Sequence, residues 1–510
     1  MPVCLIGVDV GSTNAKAGAF TPEGKLIAVA GAELVVERPR PGWAVYDPEK
    51  LWESVAAAIR EVVTRLEGAY HPLAVAVSSM AETAIALDGK GVEVYPAIAW
   101  FDLRTVEQAD WLKREVGSEY VFARTGLPIQ PIFGLNKLLW LKQNEPALFG
   151  RIACWLNVAD YINFRLCGVQ ATELSLASRV MALDLKQGRW SDDLLSRLGI
   201  STSILGELVP GAQPLGSVAA ESAAITGLLP ETKVVSGGHD HPCAAVGAGV
   251  FDPGVVLDSL GTSESLVIIL DKPILNPSAA AFGFAVGYHV LPGRFQSIGG
   301  LATSGAAIDW FRNAFFGVLS RGQAYAEMEH LAEKATAGSG GVFFLPYLRV
   351  GSPPNNETNT RGAFIGLSAD TTQNDLCRSL YEGLAYSVVD CLNALRASFQ
   401  TDVKQIRVVG GPTRNRLWMR IKASMTSEPL RVVEVEEAAC RGAAVLAGLG
   451  AGCYSSIEHA RQTIAFDEIA MIPDPAWQKA YDWGYRSVYS RIQGSLRVLH
   501  QEICRGPLDL

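Results

Sequence analysis

No C-x-x-C pair joins any of the nine cysteines, which lie scattered at positions 4, 154, 167, 243, 377, 391, 440, 453 and 504. Several sit in apolar helical contexts, so free buried thiols in a reducing cytoplasm are expected. A membrane span is missing too. Residues 273 to 293 carry no charge, yet Pro273, Asn276, Pro277, Gly283, Gly287, His289 and Pro292 interrupt them. The start of the chain has neither a basic region nor a cleavable apolar segment and runs straight into a strand. There is no basic surplus: 44 Lys and Arg against 52 Asp and Glu give a net charge of −8. That excludes nucleic acid or an anionic membrane as the main partner, but not a phosphorylated ligand, whose recognition needs only local donors. G-x-x-x-x-G-K-[ST] occurs nowhere, and no G-x-G-x-x-G follows a strand and opens a helix, so neither a P-loop nor the dinucleotide fingerprint holds the phosphates. Low-complexity tracts and short tandem repeats are absent, which removes solenoids.

What the 510-residue chain does have is Leu5-Ile-Gly-Val-Asp-Val-Gly-Ser-Thr-Asn-Ala-Lys16, an apolar strand ending in an acid, a glycine and a row of hydroxyls. Gly11 permits a tight turn, Ser12, Thr13 and Asn14 offer donors to phosphate oxygens, Lys16 adds a cation, and Asp9 suits a magnesium ion carried by the phosphates. Alone, a D-x-G-S-T segment reads better as an ordinary hairpin turn. A second copy changes that. In Gly254 to Leu270, Asp258, Gly261, Thr262 and Ser263 echo Asp9, Gly11, Ser12 and Thr13, with one residue more between acid and glycine. Two such hairpins half a chain apart predict two related domains facing each other across a nucleotide.

The chain reads as α/β in two βαβ-like halves, 1–250 and 251–510, with Phe251-Asp-Pro-Gly254 as the crossing. The spacing predicts a helix capped by Asp47-Pro48, with Leu51, Val55, Ala58, Ile59, Val62 and Leu66 on one face. Residues 73 to 77 and 234 to 235 read as strands, 135 to 230 as mostly helical, and Gly299-Gly300 as a turn before a helix from Ser304. Small residues along Gly442 to Gly448 permit close backbone approach.

With these motifs in order, the chain resembles the FGGY family of carbohydrate kinases. The resemblance runs from Leu5 to about Gly452. It rests on Val8-Asp-Val-Gly-Ser-Thr13, Ile98-Ala-Trp-Phe-Asp-Leu-Arg104, Gly237-Gly-His-Asp240, Ser259-Leu-Gly-Thr-Ser263, Phe344-Leu-Pro-Tyr-Leu348, Arg361 to Leu367, Glu382-Gly383, Gly410-Gly411 and Gly442-Ala-Ala444. It implies two RNase H-like domains of the actin-like ATPase architecture, whose cleft closes on ATP and sugar. It further implies that Ser12, Thr13, Asn14 and Lys16 contact the terminal phosphates with Asp9 near Mg2+, and that Gly261 and Thr262 form the opposite clamp. Gly305, Asp309, Gly411 and Asn415 would hold the nucleoside end. Ala81, Glu82, Trp100, Asp240 and His241 would line the sugar pocket, with Asp240 as catalytic base. From the residues alone Asp240 reads better as a helix N-cap; the surrounding motifs reverse that preference. His239 and His241 lack a third metal ligand of suitable spacing, so structural or substrate-contacting roles are expected.

The acceptor is less defined. Glycerol kinases of the family carry Arg-Glu, and xylulokinases Met-His, where this chain has Ala81-Glu82, and Ile132 stands in place of a tyrosine. Arg349-Val-Gly-Ser352 replaces the family's usual Gly-Glu-Arg. Because a carboxylate substrate would face Glu82 and Asp240, a neutral pentulose or hexulose is expected. Glycerol, erythritol or another polyol is the alternative acceptor. A nucleotide-driven binding protein of the actin or heat-shock type is the alternative of another class. A homodimer is left open.

Overall fold

The computed structural model describes residues 1–355, 357 and 359–505; positions 356, 358 and 506–510, the last of which close the expected second half, lie outside the described residues. In the first half the strand Val3–Val10 lies in the middle of a six-stranded sheet, buried along nearly its whole length, which is why it is apolar at almost every position. On one side it pairs antiparallel with Asn14–Phe20, which pairs with Leu26–Glu33. On the other it runs parallel to His71–Ser79, which runs parallel to Lys233–His239. The second half repeats this order. Val255–Leu260 pairs antiparallel with Glu264–Leu270 and that with Phe295–Leu301, while Gln405–Val409 and Leu430–Glu434 continue in parallel on the far side. The repeat of three antiparallel strands followed by two parallel ones makes the halves copies of one α/β unit. No helix among the described residues is long and apolar enough to cross a membrane, and all nine cysteines are free, six of them buried.

Local chemistry sets the boundaries. Asp47 accepts from the Glu49 and Lys50 amides and Pro48 opens the helix Pro48–Arg65, as the sequence predicts. Residues 135 to 230 are less helical than expected, because Cys154–Asn157, Ala171–Glu173, Glu207–Val209 and Pro214–Ser217 are strands. The first of these is buried at all four positions, and a short apolar run carries no period that distinguishes strand from helix. Gly299-Gly300 is no turn but lies within the strand Phe295–Leu301. There Gly300 has φ +149°, and a side chain would collide with the Glu264 carbonyl of the neighbouring strand.

The two halves meet through a crossing of helices. Asp240–Gly247 follows directly on the strand Lys233–His239, and Ala438–Ala451, from the second half, packs against both that helix and the first sheet. A Cβ on Gly247 would strike the Ala438 carbonyl, one on Gly442 the Cys243 carbonyl, and one on Gly7 the Cys440 carbonyl. Backbone therefore touches backbone, and Leu5, Val246, Leu257, Val409 and Val445 form one core spanning both halves. The Gly442→Val variant is expected to lose about 3 kcal/mol or more of stability through overpacking. Thermal unfolding checks this, and an unchanged midpoint contradicts the backbone contact.

Candidate active site

Both hairpin turns are closed by a single backbone bond: the Gly11 amide donates to the Asn14 carbonyl at 3.0 Å and the Gly261 amide to the Ser263 carbonyl at 2.8 Å. Neither glycine has a positive φ, and a Cβ on either would lie 3.5 Å from its nearest neighbour, an ordinary contact. The expectation that Gly11 serves the tight turn by its conformational freedom is therefore corrected: what glycine supplies at both turns is room above the backbone. In the first turn Thr13 Oγ1 accepts from Asn14 Nδ2 at 3.0 Å. The Ser12 hydroxyl accepts from the Trp100 indole at 2.8 Å, and its carbonyl from the Tyr46 hydroxyl at 2.8 Å. Trp100, 37% exposed, so lies against the turn, while its amide donates to Thr83 beside Glu82. Lys16 points elsewhere: its ammonium is bonded to both carboxylate oxygens of Glu437, at 2.7 and 2.8 Å. Glu437 takes a left-handed conformation (φ +54°) at the head of the helix Ala438–Ala451.

Asp9 and Asp258 are not equivalent. Asp9 stands two residues before its glycine and Asp258 three, and side chains alternate across a sheet with period 2, so the extra residue turns Asp258 to the opposite face. There Lys422, fully buried on the helix Arg416–Thr426, donates to Asp258 and Glu264 at 2.5 Å each, and the Ser304 hydroxyl donates to Glu264. Among the described residues the Asp9 carboxylate accepts a side-chain hydrogen bond only from the Ser78 hydroxyl, at 2.9 Å. Burial first, then the negative charges of Asp240 and Glu437, push its carboxyl up to about 7.

Asp240 is delivered to this place by the strand Lys233–His239, whose edge lies beside Ser78 and Ser79. It is the first residue of its helix and not the cap; His239 holds the cap position. His239 Nε2 stands 3.2 Å from Asp240 Oδ1, and the His241 amide donates to the same oxygen at 2.6 Å. Burial raises the Asp240 carboxyl, but the charge of His241 and the hydrogen bond from His239 outweigh it and hold the group at about 2. The third group missing from the sequence spacing of the two histidines is Asp240 itself, its ligand atom within 4.8 Å of theirs. The His239 ring and the His241 amide both bond to Oδ1, which makes the cluster a device for keeping Asp240 ionised.

Glu82 has φ +62°, and the Lys137 ammonium, fully buried, holds its carbonyl at 2.5 Å. Burial pulls Lys137 down to about 7. Ala81 is buried beside it. The Glu82 carboxylate is paired with Arg179, whose Nε donates at 2.5 Å. Sequence reasoning missed Arg179: it lies 97 residues from Glu82 and no local pattern marks it. Arg179 thus neutralises Glu82 itself. Ile132 packs, half-buried, against the core beside Phe133.

At the far end, a cavity of about 650 Å3 is lined by Gly261, Thr262, Gly305, Asp309, Gly411 and Asn415 together, six residues from three separate segments. Tyr325, Tyr381, Arg321 and Arg414 line it as well and carried no sequence signal. Asp309 accepts from the Tyr325 hydroxyl at 2.6 Å, and the Asn415 side chain caps the helix Arg416–Thr426. One prediction concerns Asp9. Its raised pKa means that the folded chain holds the proton more tightly, so its contribution is present below about pH 4 and lost as pH rises through 7. Without ligands, Asp9→Asn is expected to gain about 1 kcal/mol or more at pH 8 and nothing at pH 4 in denaturant titrations; a variant destabilised at pH 8 contradicts this.

Comparison with known proteins agrees with the duplicated architecture. Residues 4–247 match the N-terminal domain and residues 257–451 the C-terminal domain of the FGGY family of carbohydrate kinases. The chain is 27% identical over 499 residues to a xylulose kinase of Lactococcus lactis, covering 98% of each. To a glycerol kinase of Citrifermentans bemidjiense it is 29% identical over 469 residues, covering 90% of this chain and 92% of the other. The crystal structure of a xylulose kinase from Rhodospirillum rubrum superposes with a TM-score of 0.89 at 28% identity, covering 98% of this chain and all of that one. With both domains of the family in order around one cleft, the chain belongs to the FGGY family of carbohydrate kinases.

Proposed function

We propose that this protein transfers the γ-phosphoryl group of ATP to a hydroxyl of a neutral ketose, a pentulose or hexulose, with the chain dividing into domains at 1–250 and 251–510. The observation that carries the reading is the placement of an ionised Asp240 beside Asp9 and the first turn, with Glu82 at the same end. Similarity to xylulose kinases over nearly the whole chain supports a pentulose, and the glycerol kinase relatives keep a polyol as the second acceptor. Free buried thiols fit a reducing cytoplasm.

In this reading the nucleoside occupies the 650 Å3 cavity between Gly305, Asp309, Gly411 and Asn415. The phosphates lie between Ser12, Thr13 and Asn14 on one side and Gly261 and Thr262 on the other, where the missing side chains leave room. Lys16, paired with Glu437, reaches a phosphate only by exchanging that partner. Mg2+ fits the Asp9 site, because a carboxyl raised by burial and by surrounding negative charge is one that a cation relieves; when bound it would neutralise charge on the β- and γ-phosphates. Asp240 accepts the proton of the acceptor hydroxyl as that oxygen bonds to the γ-phosphorus and the bond from phosphorus to the departing ADP breaks. A group held at about 2 is ionised throughout the working range, so Asp240 sets no acid limb near neutrality.

ADP release is to be measured with ATP, Mg2+ and a panel of ketoses, polyols and aldonates. A rate rising strongly with one ketose is expected; a rate indifferent to every sugar favours a nucleotide-driven binding protein, and aldonates as best acceptors overturn the neutral-ketose assignment. Asp240→Asn is expected to lower turnover by roughly a hundred- to ten-thousandfold with nucleotide affinity intact; near-wild-type turnover removes Asp240 from the role. Glu82→Ala is expected to raise the sugar KM far more than the ATP KM, and equal effects contradict its contact with sugar alone.

A further inference from the structure

Arg179 follows the short helix Leu174–Ser178, at the wall of a second cavity of about 250 Å3. Phe133 and Gln130 from the first half line the same cavity with Gly299 and Gly300 from the second, so it lies between the halves. The guanidinium lies 4.9 Å over the Phe133 ring, and its Nε and Nη2 both address one oxygen, Oε1, of Glu82. Both side chains are largely buried, 14% and 7% exposed. Among the described residues no other hydrogen-bond partner reaches the guanidinium or the Glu82 carboxylate. The pair therefore presents a bare acceptor, Glu82 Oε2, beside a bare donor, Arg179 Nη1. Its charges act on His241, next to Asp240, which places it at the reacting end of the cleft.

A charged donor at the wall of a small cavity, paired with a charged acceptor, is complementary to a group that offers a hydrogen and a lone pair on adjacent carbons. We propose that Arg179 is a substrate-binding, specificity-determining residue that, with Glu82, reads the α-hydroxyketone end of the acceptor. The hydroxyl donates to Glu82 Oε2 and the ketone oxygen accepts from Arg179 Nη1. The inference rests on the kinase reading above and narrows it. An alditol also places an oxygen before Arg179, but brings an extra hydroxyl hydrogen for which the guanidinium, a donor only, offers no acceptor. An aldonate brings a carboxylate that Arg179, already neutralised by Glu82, no longer compensates.

The test compares kcat/KM for a ketose and its own alditol in wild type, R179K and R179Q, with the KM for ATP as control. Wild type is expected to prefer the ketose by at least about tenfold. Both variants are expected to raise the ketose KM by roughly ten- to a hundredfold, to bring the ketose-to-alditol ratio towards one, and to leave the ATP KM within about twofold. R179K keeps the charge but loses the planar fork, so retention of the preference in R179K overturns the geometric part of the proposal. Should R179Q fail to fold, E82Q replaces it, and the same loss of preference is expected. A wild type that treats ketose and alditol alike overturns this inference alone, and a wild type that phosphorylates nothing in the panel overturns the kinase reading with it.

Discussion

The crossing of Asp240–Gly247 with Ala438–Ala451 is the constraint on which the rest of the molecule depends. Hydrophobic packing normally separates helices by the thickness of their side chains, about 8–10 Å. Here Gly247 and Gly442 remove that layer, and Gly7 does the same where the second helix lies on the first sheet. The consequence is positional. Asp240 begins one of these helices and Glu437 heads the other, so Asp240, the Lys16–Glu437 pair and Asp9 on the adjacent strand are all set by one contact.

The two halves carry matching hairpins, yet these have different electrostatic duties. One residue of extra spacing puts Asp258 on the far face, where Lys422 neutralises it and ties the second turn's strands to the helix Arg416–Thr426. A buried ammonium with two carboxylates is costly to dehydrate but costlier to break, which makes it a fixed prop. Asp9, by contrast, is left with one hydroxyl and two negative neighbours. Stability is given up there, as is common where charge must later receive a ligand.

Legibility from sequence followed the range of the interactions. Both hairpins, the capped helix at Asp47 and the small-residue helix near Gly442 are local patterns of strand period, cap or glycine, and the structure has them all. The four residues assigned to the nucleoside end and the two of the second phosphate clamp lie together in one cavity because ordered motifs carry position even when each is weak. What escaped was long-range or periodless. Arg179 meets Glu82 across 97 residues, and Lys422 meets Asp258 across 164, with no local spacing to announce either. The strand Cys154–Asn157 is too short and too buried to show a period. Lys16 looked free because its partner, Glu437, lies in the other half of the chain.

In the proposed kinase reading the two halves, joined at the glycine-mediated crossing, close on phosphates and sugar held between them. That reading requires closure, since water competes with the sugar hydroxyl for the phosphoryl group and must be excluded. Small-angle X-ray scattering of the whole protein, with and without a ketose plus a nonhydrolysable ATP analogue, tests this most directly. The radius of gyration is expected to fall only when both ligands are present. Identical profiles in all states would contradict closure and leave a rigid cleft in its place.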